Sequence, residues 1–420
     1  MGFASDYLEK RALFPELIRE APSEDTSIIV VVPSFDEPEI TDLLDSLNLC
    51  AEPACRAEVL IIVNAPEGAG EKSLLNNRES INKIESWKKE HSGCFFRVFV
   101  IDLTSVKMEG WGVGMARKTG MDEALRRFNH INKPDGIILN LDADCKVKSN
   151  YFTSVFCEMN NRKDRSACSI YFEHPTSGNE FSRSVYKAII LYELHLRYYF
   201  QGLAFTGFPY VHHTVGSAIA VKALPYMKAG GMNRKLAGED FYFIQKLVPA
   251  GGFFNLKQTT VFPSPRSSFR VPFGTGPVIS RLTETDNETL LSYNFGAFKE
   301  LRILFSLIDK IFFTGYDDPE FCFNDLPPNL KEFTGVIDWT EKIREIRGNT
   351  SGIESFRKRF FGWFNMFKIV KYLNWVHISL MAKKPVIESA SELLNASGME
   401  FKSKDYAEML DYFRRLELVS

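Results

Sequence analysis

The sequence lacks the features of a secreted, membrane-spanning or nucleic-acid-binding protein. No apolar run approaches the roughly 20 residues that span a bilayer, and charges interrupt the N-terminal stretch MGFASDYLEKRALF, so we expect no signal peptide. Lys and Arg total 51 against 53 Asp and Glu, for a net charge of −2. That balance has no basic surplus for a phosphate backbone, and we therefore expect no nucleic-acid partner.

Cysteine is sparse and has no pattern. The seven cysteines are scattered, their number is odd, and no CxxC occurs. From this pattern we expect neither a disulfide framework nor a zinc knuckle. The pattern favours a reducing, cytoplasmic compartment. With 420 residues, of which 45% are hydrophobic, the chain is long enough for two domains with substantial cores.

β-branched runs alternate with helical patterns in the first part of the chain. The four clearest runs are SIIVVVP (27–33), EVLIIV (58–63), RVFVIDL (97–103) and GIILN (136–140). This alternation predicts an α/β fold in which ligands bind beyond the carboxyl ends of parallel strands. Polar residues fall at these ends: Asp36, Asn64, Asp102, Asp142 and Asp144.

Further along, the pattern predicts another strand at 214–221 and a helix at 237–247. Beyond about residue 281 the chain becomes Phe-rich and helical in pattern. We therefore divide it into a lead-in over 1–26, an α/β domain over 27–280 and a mostly helical region over 281–420. The oligomeric state is left open.

The segment LDADC provides two carboxylates, Asp142 and Asp144, directly after a buried strand. Such a pair can hold Mg²⁺ or Mn²⁺, which prefer oxygen ligands and keep positions for substrate phosphates. Asp is also common in turns, so the motif alone is weak evidence. Its place at the end of a strand favours the metal site.

A second acidic pair, Glu239-Asp240, follows a glycine-rich stretch that includes Gly230-Gly231. Acids in a first helical turn complement the helix dipole, which accounts for Glu239. The glycines indicate close backbone approach to a ligand. A carboxylate at Asp240 could accept a proton from an attacking hydroxyl.

Two basic segments are further candidates for phosphate binding. GWGVGMARKTG (110–120) places Arg117 and Lys118 near a phosphate or ribose, or is a plain flexible loop. SPRSSFRVPFGTGP (264–277) carries Arg266 and Arg270, which either close over a diphosphate or lie on a solvated loop.

Four segments, in order over about 27–265, resemble the family-2 glycosyltransferases of GT-A fold. They are SIIVVVPSFDEP, GVGMARKTGMDEAL, NLDADC and GSAIAVKALPYMKAGGMNRKLAGED. The resemblance implies a Rossmann-like mixed sheet flanked by helices, in addition to the helical C-terminal region. It also implies transfer of a hexosyl or N-acetylhexosaminyl group, with inversion, from a UDP- or GDP-linked sugar. The acceptor would be a hydroxyl of a saccharide or lipid-linked saccharide in glycan biosynthesis.

The resemblance also implies roles for individual residues. Asp142 and Asp144 would bind Mn²⁺ or Mg²⁺ and the nucleotide diphosphate, and Asp240 would be the catalytic base. The expected donor side comprises Pro33, Asp36, Glu37, Asn64, Arg117, Lys118, Asp142, Arg266 and Arg270. The expected acceptor side comprises Glu239, His212, His213, Gly230 and Gly231.

The sequence departs from that family at three points. Asn64 stands where many members of the family have an aspartate pair that contacts the nucleotide base. The identity of that base is therefore left open. No histidine follows Asp240 until His377; a further metal ligand is therefore absent or is His212 or His213, which we interpret rather as structural or acceptor-contacting. The arginine-tryptophan motif of processive members is also absent.

Two alternatives to a glycosyltransferase stay open. A sugar-nucleotide-forming nucleotidyltransferase would share the sheet and the metal aspartates, but the first loop, SFDEP, is acidic and has no Gly. A non-catalytic carbohydrate- or nucleotide-binding relative would not need Asp142, Asp144 and Asp240 together.

The basic, aromatic stretch from Phe356 to Val376 has two interpretations. It is a core helix with a basic outer face, which we favour, or a helix lying on the inner face of a membrane.

Overall fold

The computed structural model describes residues 2–234, 238–268, 270, 274–284, 289–314 and 324–419. Its strands are β1 (Thr26–Ser34), β2 (Arg56–Asn64), β3 (Phe96–Leu103), β4 (Ile137–Asn140), β5 (Lys146–Val147), β6 (Ala167–Phe172), β7 (Ile219–Lys222), β8 (Phe253–Phe262), β9 (Leu291–Ser292) and β10 (Lys384–Pro385). Its helices are α1 (Ser5–Arg11), α2 (Ile40–Asn48), α3 (Glu71–Glu90), α4 (Val113–His130), α5 (Tyr151–Asn160), α6 (Arg183–Thr206), α7 (Ala223–Lys228), α8 (Glu239–Leu247), α9 (Thr275–Glu284), α10 (Phe295–Ser306), α11 (Ile308–Phe313), α12 (Pro328–Thr334), α13 (Trp339–Gly348), α14 (Ile353–Trp363), α15 (Met366–Ser379), α16 (Val386–Ala396) and α17 (Tyr406–Val419).

The chain forms two compact units. The first comprises residues 1–178 and 212–277, and the second comprises 179–211 and 278–420. The helix α6 therefore groups with the C-terminal helices. The domain boundaries at 26 and 280 stay a prediction, because compactness does not show which segments fold by themselves.

The first unit is built on a mixed sheet with the strand order β3-β2-β1-β4-β7-β6-β8-β5. The strands β3, β2, β1 and β4 run parallel, and β7 is antiparallel to both of its neighbours. Every residue of β1 is buried, as expected for a strand covered on both faces. The predicted α/β class, a mixed sheet flanked by helices with a mostly helical C-terminal region, is confirmed.

The helix α4 lies against β1 and β2 and is buried over most of its length. Gly120 makes this close packing possible, because an added Cβ would lie 2.4 Å from the side chain of Val31. Although α4 is covered, it carries several charged side chains, each with a partner; Arg127, for example, pairs with Glu58. Its amino-terminal end is thereby held rigidly at the carboxyl edge of the sheet.

The N-terminal lead-in packs on α4 as an ordered segment. The backbone N–H of Ala4 donates to Asn129 Oδ1 at 2.7 Å, and that of Ile18 donates to Glu123 Oε1 at 3.0 Å. Burial of the α1 residues Tyr7 and Leu8 adds to these bonds. The lead-in therefore belongs to the core of the first unit.

The second unit is a helical assembly with an aromatic core that includes Phe298, Phe333 and Tyr372, all fully buried. In place of one helix over Phe356–Val376, two helices, α14 and α15, meet at Asn365, whose side chain accepts a bond from the N–H of Phe367. The prediction of one continuous helix over this stretch is therefore wrong. Among the residues that the structure describes, none of the helices has both the length and the apolar character to cross a bilayer.

Candidate functional site

The loops after β1 and β4 meet because these strands are parallel neighbours. Val31 pairs with Asn140, and the N–H of Leu141 donates to the carbonyl of Val31 at 3.1 Å. The acids that follow each strand therefore emerge on the same edge of the sheet: Asp36 and Glu37 from β1, and Asp142 and Asp144 from β4. This is the edge at which open α/β sheets bind ligands.

Arg117, in the first turns of α4, joins two of the predicted acids. Its Nη2 donates to Asp142 Oδ1 at 2.5 Å, and its Nη1 pairs with Glu239. Arg117 and Glu239 are buried, whereas the Asp142 side chain is 41% exposed. Burial lowers the pKa of Arg117, but the charges of Asp142 and Glu239 outweigh it and raise that pKa above its ordinary value.

Asp240 lies in the first turn of α8, beside Glu239. Its Oδ1 accepts the N–H of Phe241 at 2.7 Å, and its carboxylate also accepts the N–H of Gly216. Desolvation raises the pKa of Asp240, with the charge of Arg117 opposing that shift and the charge of Asp142 adding to it. The charge of Asp240 in turn raises the pKa of Arg117, while the direct contacts of that guanidinium are with Asp142 and Glu239.

Asp144 belongs to a second ionic group that involves both predicted loop arginines. Arg266 Nε lies 2.7 Å from Asp144 Oδ2, and the same guanidinium pairs with Glu37. Arg270 also pairs with Glu37 and donates to the carbonyl of Phe35 at 2.7 Å. Desolvation raises the pKa of Asp144 to about 6, with Arg266 opposing the shift. In this structure the arginines therefore bind the acidic loop after β1.

Asp36 and Asn64, predicted on the nucleotide side, are tied to α3. Asn76 Nδ2 and Ser73 Oγ donate to the Asp36 carboxylate at 2.5 and 3.0 Å. Asn77 Nδ2 donates to the carbonyl of Asn64 at 3.0 Å. Asp36 has a positive φ of 58°, a conformation that Asp tolerates better than most residues. Pro33 lies within β1, opposite Ile62.

Lys118 and the Gly230-Gly231 turn belong to a separate buried network. Lys118 Nζ lies 2.8 Å from Asp122 Oδ2, and Tyr7 Oη donates to Asp122 Oδ1 at 2.9 Å. Both glycines have positive φ, and a Cβ on Gly231 would lie 1.8 Å from Tyr7 Oη. The close approach expected at these glycines is thus made to the N-terminal helix α1, and their predicted acceptor role stays a prediction.

His212 and His213 lie in the loop that leads to Gly216. His212 Nδ1 is 2.9 Å from Asn255 Oδ1. The His212 ring packs edge-on against the Phe253 ring, with 4.5 Å between the ring centroids. Burial lowers the pKa of His212, with the Asn255 bond opposing. The carbonyl of His213 accepts from Ser169 Oγ at 2.6 Å. These contacts anchor the loop to β6 and β8.

Sequence reasoning missed the pairing of Arg117 with Glu239 and the part that Gly216 plays in it. A Cβ on Gly216 would lie 2.5 Å from Arg117 Nη1, so the loop can pass this close to the guanidinium only because residue 216 is glycine. The signal in the sequence was an arginine on an otherwise buried helix, which needs a carboxylate partner.

The carboxylates fit a hard divalent cation. The side chains of Asp142 and Asp144 are 41% and 25% exposed, so both are accessible from solvent. Within the described part of the chain, no group of three or more His, Cys, Asp and Glu side chains is arranged to hold a metal ion. A cation here would rest on two aspartates, with its remaining positions left for water or ligand oxygens.

No protein-family model matches the sequence, and no curated protein matches it. Solved structures do show likeness. S. aureus TarS 1-349 with UDP-GlcNAc is 13% identical, with a TM-score of 0.40 over 90% of this chain and 93% of that one. The mannosyltransferase PcManGT from Pyrobaculum calidifontis, with GDP-Man and Mn²⁺, is 12% identical, with a TM-score of 0.37 over 99% and 92%.

Glucosyl-3-phosphoglycerate synthase from Mycobacterium tuberculosis, with Mn²⁺, UDP and glucosyl-3-phosphoglycerate, is 13% identical, with a TM-score of 0.33 over 61% of this chain and 74% of that one. At this level of identity and overlap, the likeness carries no inference about the activity of this chain. The function of the chain is therefore inferred from the geometry of the site.

Proposed function

We propose that the chain is an inverting glycosyltransferase of GT-A type. It would transfer a hexosyl or N-acetylhexosaminyl group from a UDP- or GDP-sugar to a hydroxyl of a saccharide or lipid-linked saccharide. The observation that carries the proposal is that the buried guanidinium of Arg117 contacts both Asp142 and Glu239, the residue next to Asp240. These residues come from separate parts of the chain and meet at the edge of the sheet where ligands bind.

The charges of the site favour a divalent cation together with an anionic donor. Ionic contacts connect four carboxylates, those of Glu37, Asp142, Asp144 and Glu239, with three guanidinium groups, those of Arg117, Arg266 and Arg270. Asp240, next to Glu239, adds a fifth carboxylate, so the site keeps an excess of negative charge. Asp142 and Asp144 would hold Mn²⁺ or Mg²⁺. When bound, the cation would neutralise charge that develops on the departing diphosphate.

The residues of the chain would act on both sides of the transferred sugar. Asp240 would accept the proton of the attacking hydroxyl, and its raised pKa makes it a better base near neutral pH. Arg266 and Arg270 would exchange their contacts with Glu37 for contacts with the diphosphate. A single displacement with one base inverts the anomeric configuration.

Two measurements test this function. A thermal-shift screen of nucleoside diphosphates and sugar nucleotides, with and without Mn²⁺, should show stabilisation by one nucleotide class only when the metal is present. Asp240→Asn should then abolish sugar transfer while it leaves the affinity for that nucleotide within about threefold. Transfer at the wild-type rate by Asp240→Asn would refute the mechanism.

A cytoplasmic location and a contact with the inner face of a membrane belong to the same proposal. Between Glu354 and Glu388 the sequence has no acidic residue but several basic ones: Arg357, Lys358, Arg359, Lys368, Lys371, Lys383 and Lys384. Such a segment is attracted to anionic lipid. Vesicles with and without anionic phospholipid, sedimented with the full chain at low salt, test the contact, and absence of the chain from both pellets would exclude it.

A further inference from the structure

The position of Arg117 differs from that of a donor ligand. Only 3% of the residue is exposed, and its terminal nitrogens are directed to Asp142 and Glu239. A guanidinium this enclosed has little surface left for a diphosphate, so its main effect is on the carboxylates that surround it.

These carboxylates come from two elements with different proposed tasks. Asp142 follows β4 and belongs to the cation and donor side, while Glu239 and Asp240 begin α8 and carry the base. Because Arg117 contacts Asp142 and Glu239 together, it fixes the separation of the two sides. Gly216 completes the enclosure, since its N–H binds Asp240 and its missing side chain leaves space for the guanidinium.

We propose that Arg117 is a positioning residue that clamps the start of α8 to the loop after β4 and thereby sets the place of the catalytic base. This inference rests on the proposed function, which supplies the role of Asp240. It differs from the expectation from the sequence, in which Arg117 contacts the nucleotide.

The clamp has both a geometric and an electrostatic part. The charged groups that act on Arg117 are Asp142, Glu239 and Asp240, and those that act on Asp240 are Arg117, Asp142 and the adjacent Glu239. Arg117→Lys keeps the positive charge but loses the planar group whose two terminal nitrogens contact Asp142 and Glu239 at the same time. Arg117→Gln loses the charge and leaves the buried carboxylate of Glu239 without its cation. The two variants therefore separate position from charge.

For Arg117→Lys we expect kcat to fall about 100-fold, because a misplacement of about 1 Å costs on the order of that factor. The KM for the donor should change less than about threefold. The acidic limb of the pH profile of kcat should move little. For Arg117→Gln we expect that limb to move upward by about one pH unit or more, since the base loses its cation. Arg127→Lys is the control, because Arg127 is buried on the same helix but pairs with Glu58. This variant should lower the stability of the chain without moving the acidic limb of the pH profile.

A second readout needs no activity. Urea unfolding should show that Arg117→Gln is destabilised more at pH 8 than at pH 5.5. Burial already raises the pKa of Glu239 above its ordinary value, with the charge of Arg117 opposing that shift. Loss of Arg117 should raise this pKa further, and stability from such a group is lost as the pH increases. Equal destabilisation at both pH values would overturn the clamp.

The outcomes are distinguishable from one another. A donor KM raised at least tenfold by Arg117→Lys, with kcat and the pH limb unchanged, would make Arg117 a donor ligand and overturn the inference. A wild-type chain that transfers no sugar from any nucleotide donor would refute the proposed function, and with it the claim about the base. The urea measurement would still decide whether Arg117 clamps the two loops.

Discussion

Arg266 Nε lies 2.7 Å from Asp144 Oδ2, so an arginine predicted to bind the donor instead neutralises one of the carboxylates predicted to bind its cation. The same guanidinium also contacts Glu37. An incoming diphosphate would compete with these two carboxylates for Arg266. Binding of such a donor through Arg266 would therefore require this side chain to leave Asp144 and Glu37.

This relationship predicts the effect of removing the arginine. Arg266→Ala should weaken binding of a nucleoside diphosphate, in the presence of Mn²⁺, about tenfold, since a charge-assisted hydrogen bond contributes about 1.5–3 kcal/mol. Titration calorimetry measures the change. Arg162→Ala is the control, because the Arg162 side chain is 62% exposed. Equal affinities for the Arg266 variant and the wild type would exclude a contact with the donor.

The cation is predicted to depend on Asp142. Asp142→Asn keeps the shape of the side chain but removes one of the two carboxylates available to a hard cation. We expect calorimetry to show that Mn²⁺ no longer improves nucleotide binding by more than about twofold in this variant. Asp135→Asn, at an exposed position before β4, should keep the full effect of the metal. If Asp142→Asn also kept it, the cation would have to bind elsewhere.

The sequence predicted the sheet better than the rest of the structure. Runs such as EVLIIV indicate strands because a covered parallel strand needs apolar residues on both faces. The strand β6, with the sequence ACSIYF, was missed because its run is short and contains polar residues. Its neighbours in the sheet, β7 and β8, are distant in sequence, and single-sequence patterns do not reveal such pairing.

The candidate site was predictable by residue type but not by contact. Acids at strand ends indicated where Asp142 and Asp144 would lie, because the carboxyl ends of parallel strands share one edge of the sheet. The bond between Arg117 and Glu239 spans 122 positions in the sequence, and no local pattern encodes it. Likewise, Gly231 indicated a close approach without revealing that the neighbour is Tyr7.

That close approach gives a prediction about stability. Gly231→Ala should destabilise the folded chain for two reasons. The residue has a positive φ of 74°, and the added Cβ would lie 1.8 Å from Tyr7 Oη. We expect it to lower the free energy of unfolding by about 3 kcal/mol. Gly68→Ala is the control, because Gly68 has a φ of 80° and nothing within 4 Å of an added Cβ, so it should cost only about 1 kcal/mol.

The Tyr7 hydroxyl can be removed to test the clash itself. In Tyr7→Phe/Gly231→Ala the new methyl group no longer meets that oxygen, and the double variant should be more stable than the sum of the single effects predicts. Urea unfolding of the four proteins gives the coupling. Strict additivity would show that the Tyr7 hydroxyl does not account for the cost of Gly231→Ala.

The second unit should lose stability in acid through His195. Burial lowers the pKa of His195 to about 4 from 6.5 in the unfolded chain, and its Nδ1 lies 2.8 Å from Ser292 Oγ. Above pH 6.5 the imidazole is neutral in both states, and the full stability is present. As the pH falls from 6.5 towards 4 the unfolded chain takes up a proton that the folded chain does not, so stability is lost, by at most about 3 kcal/mol.

His195→Asn removes the titration but keeps a side chain that can bind Ser292. The unfolding free energy of this variant should therefore change less between pH 7 and pH 4 than that of the wild type. His377 remains in the variant and, because burial lowers its pKa too, leaves a residual slope of the same sign. His130→Asn, at an exposed position, should reproduce the wild-type curve. Parallel curves for His195→Asn and the wild type would show that His195 is not the group that destabilises this unit in acid.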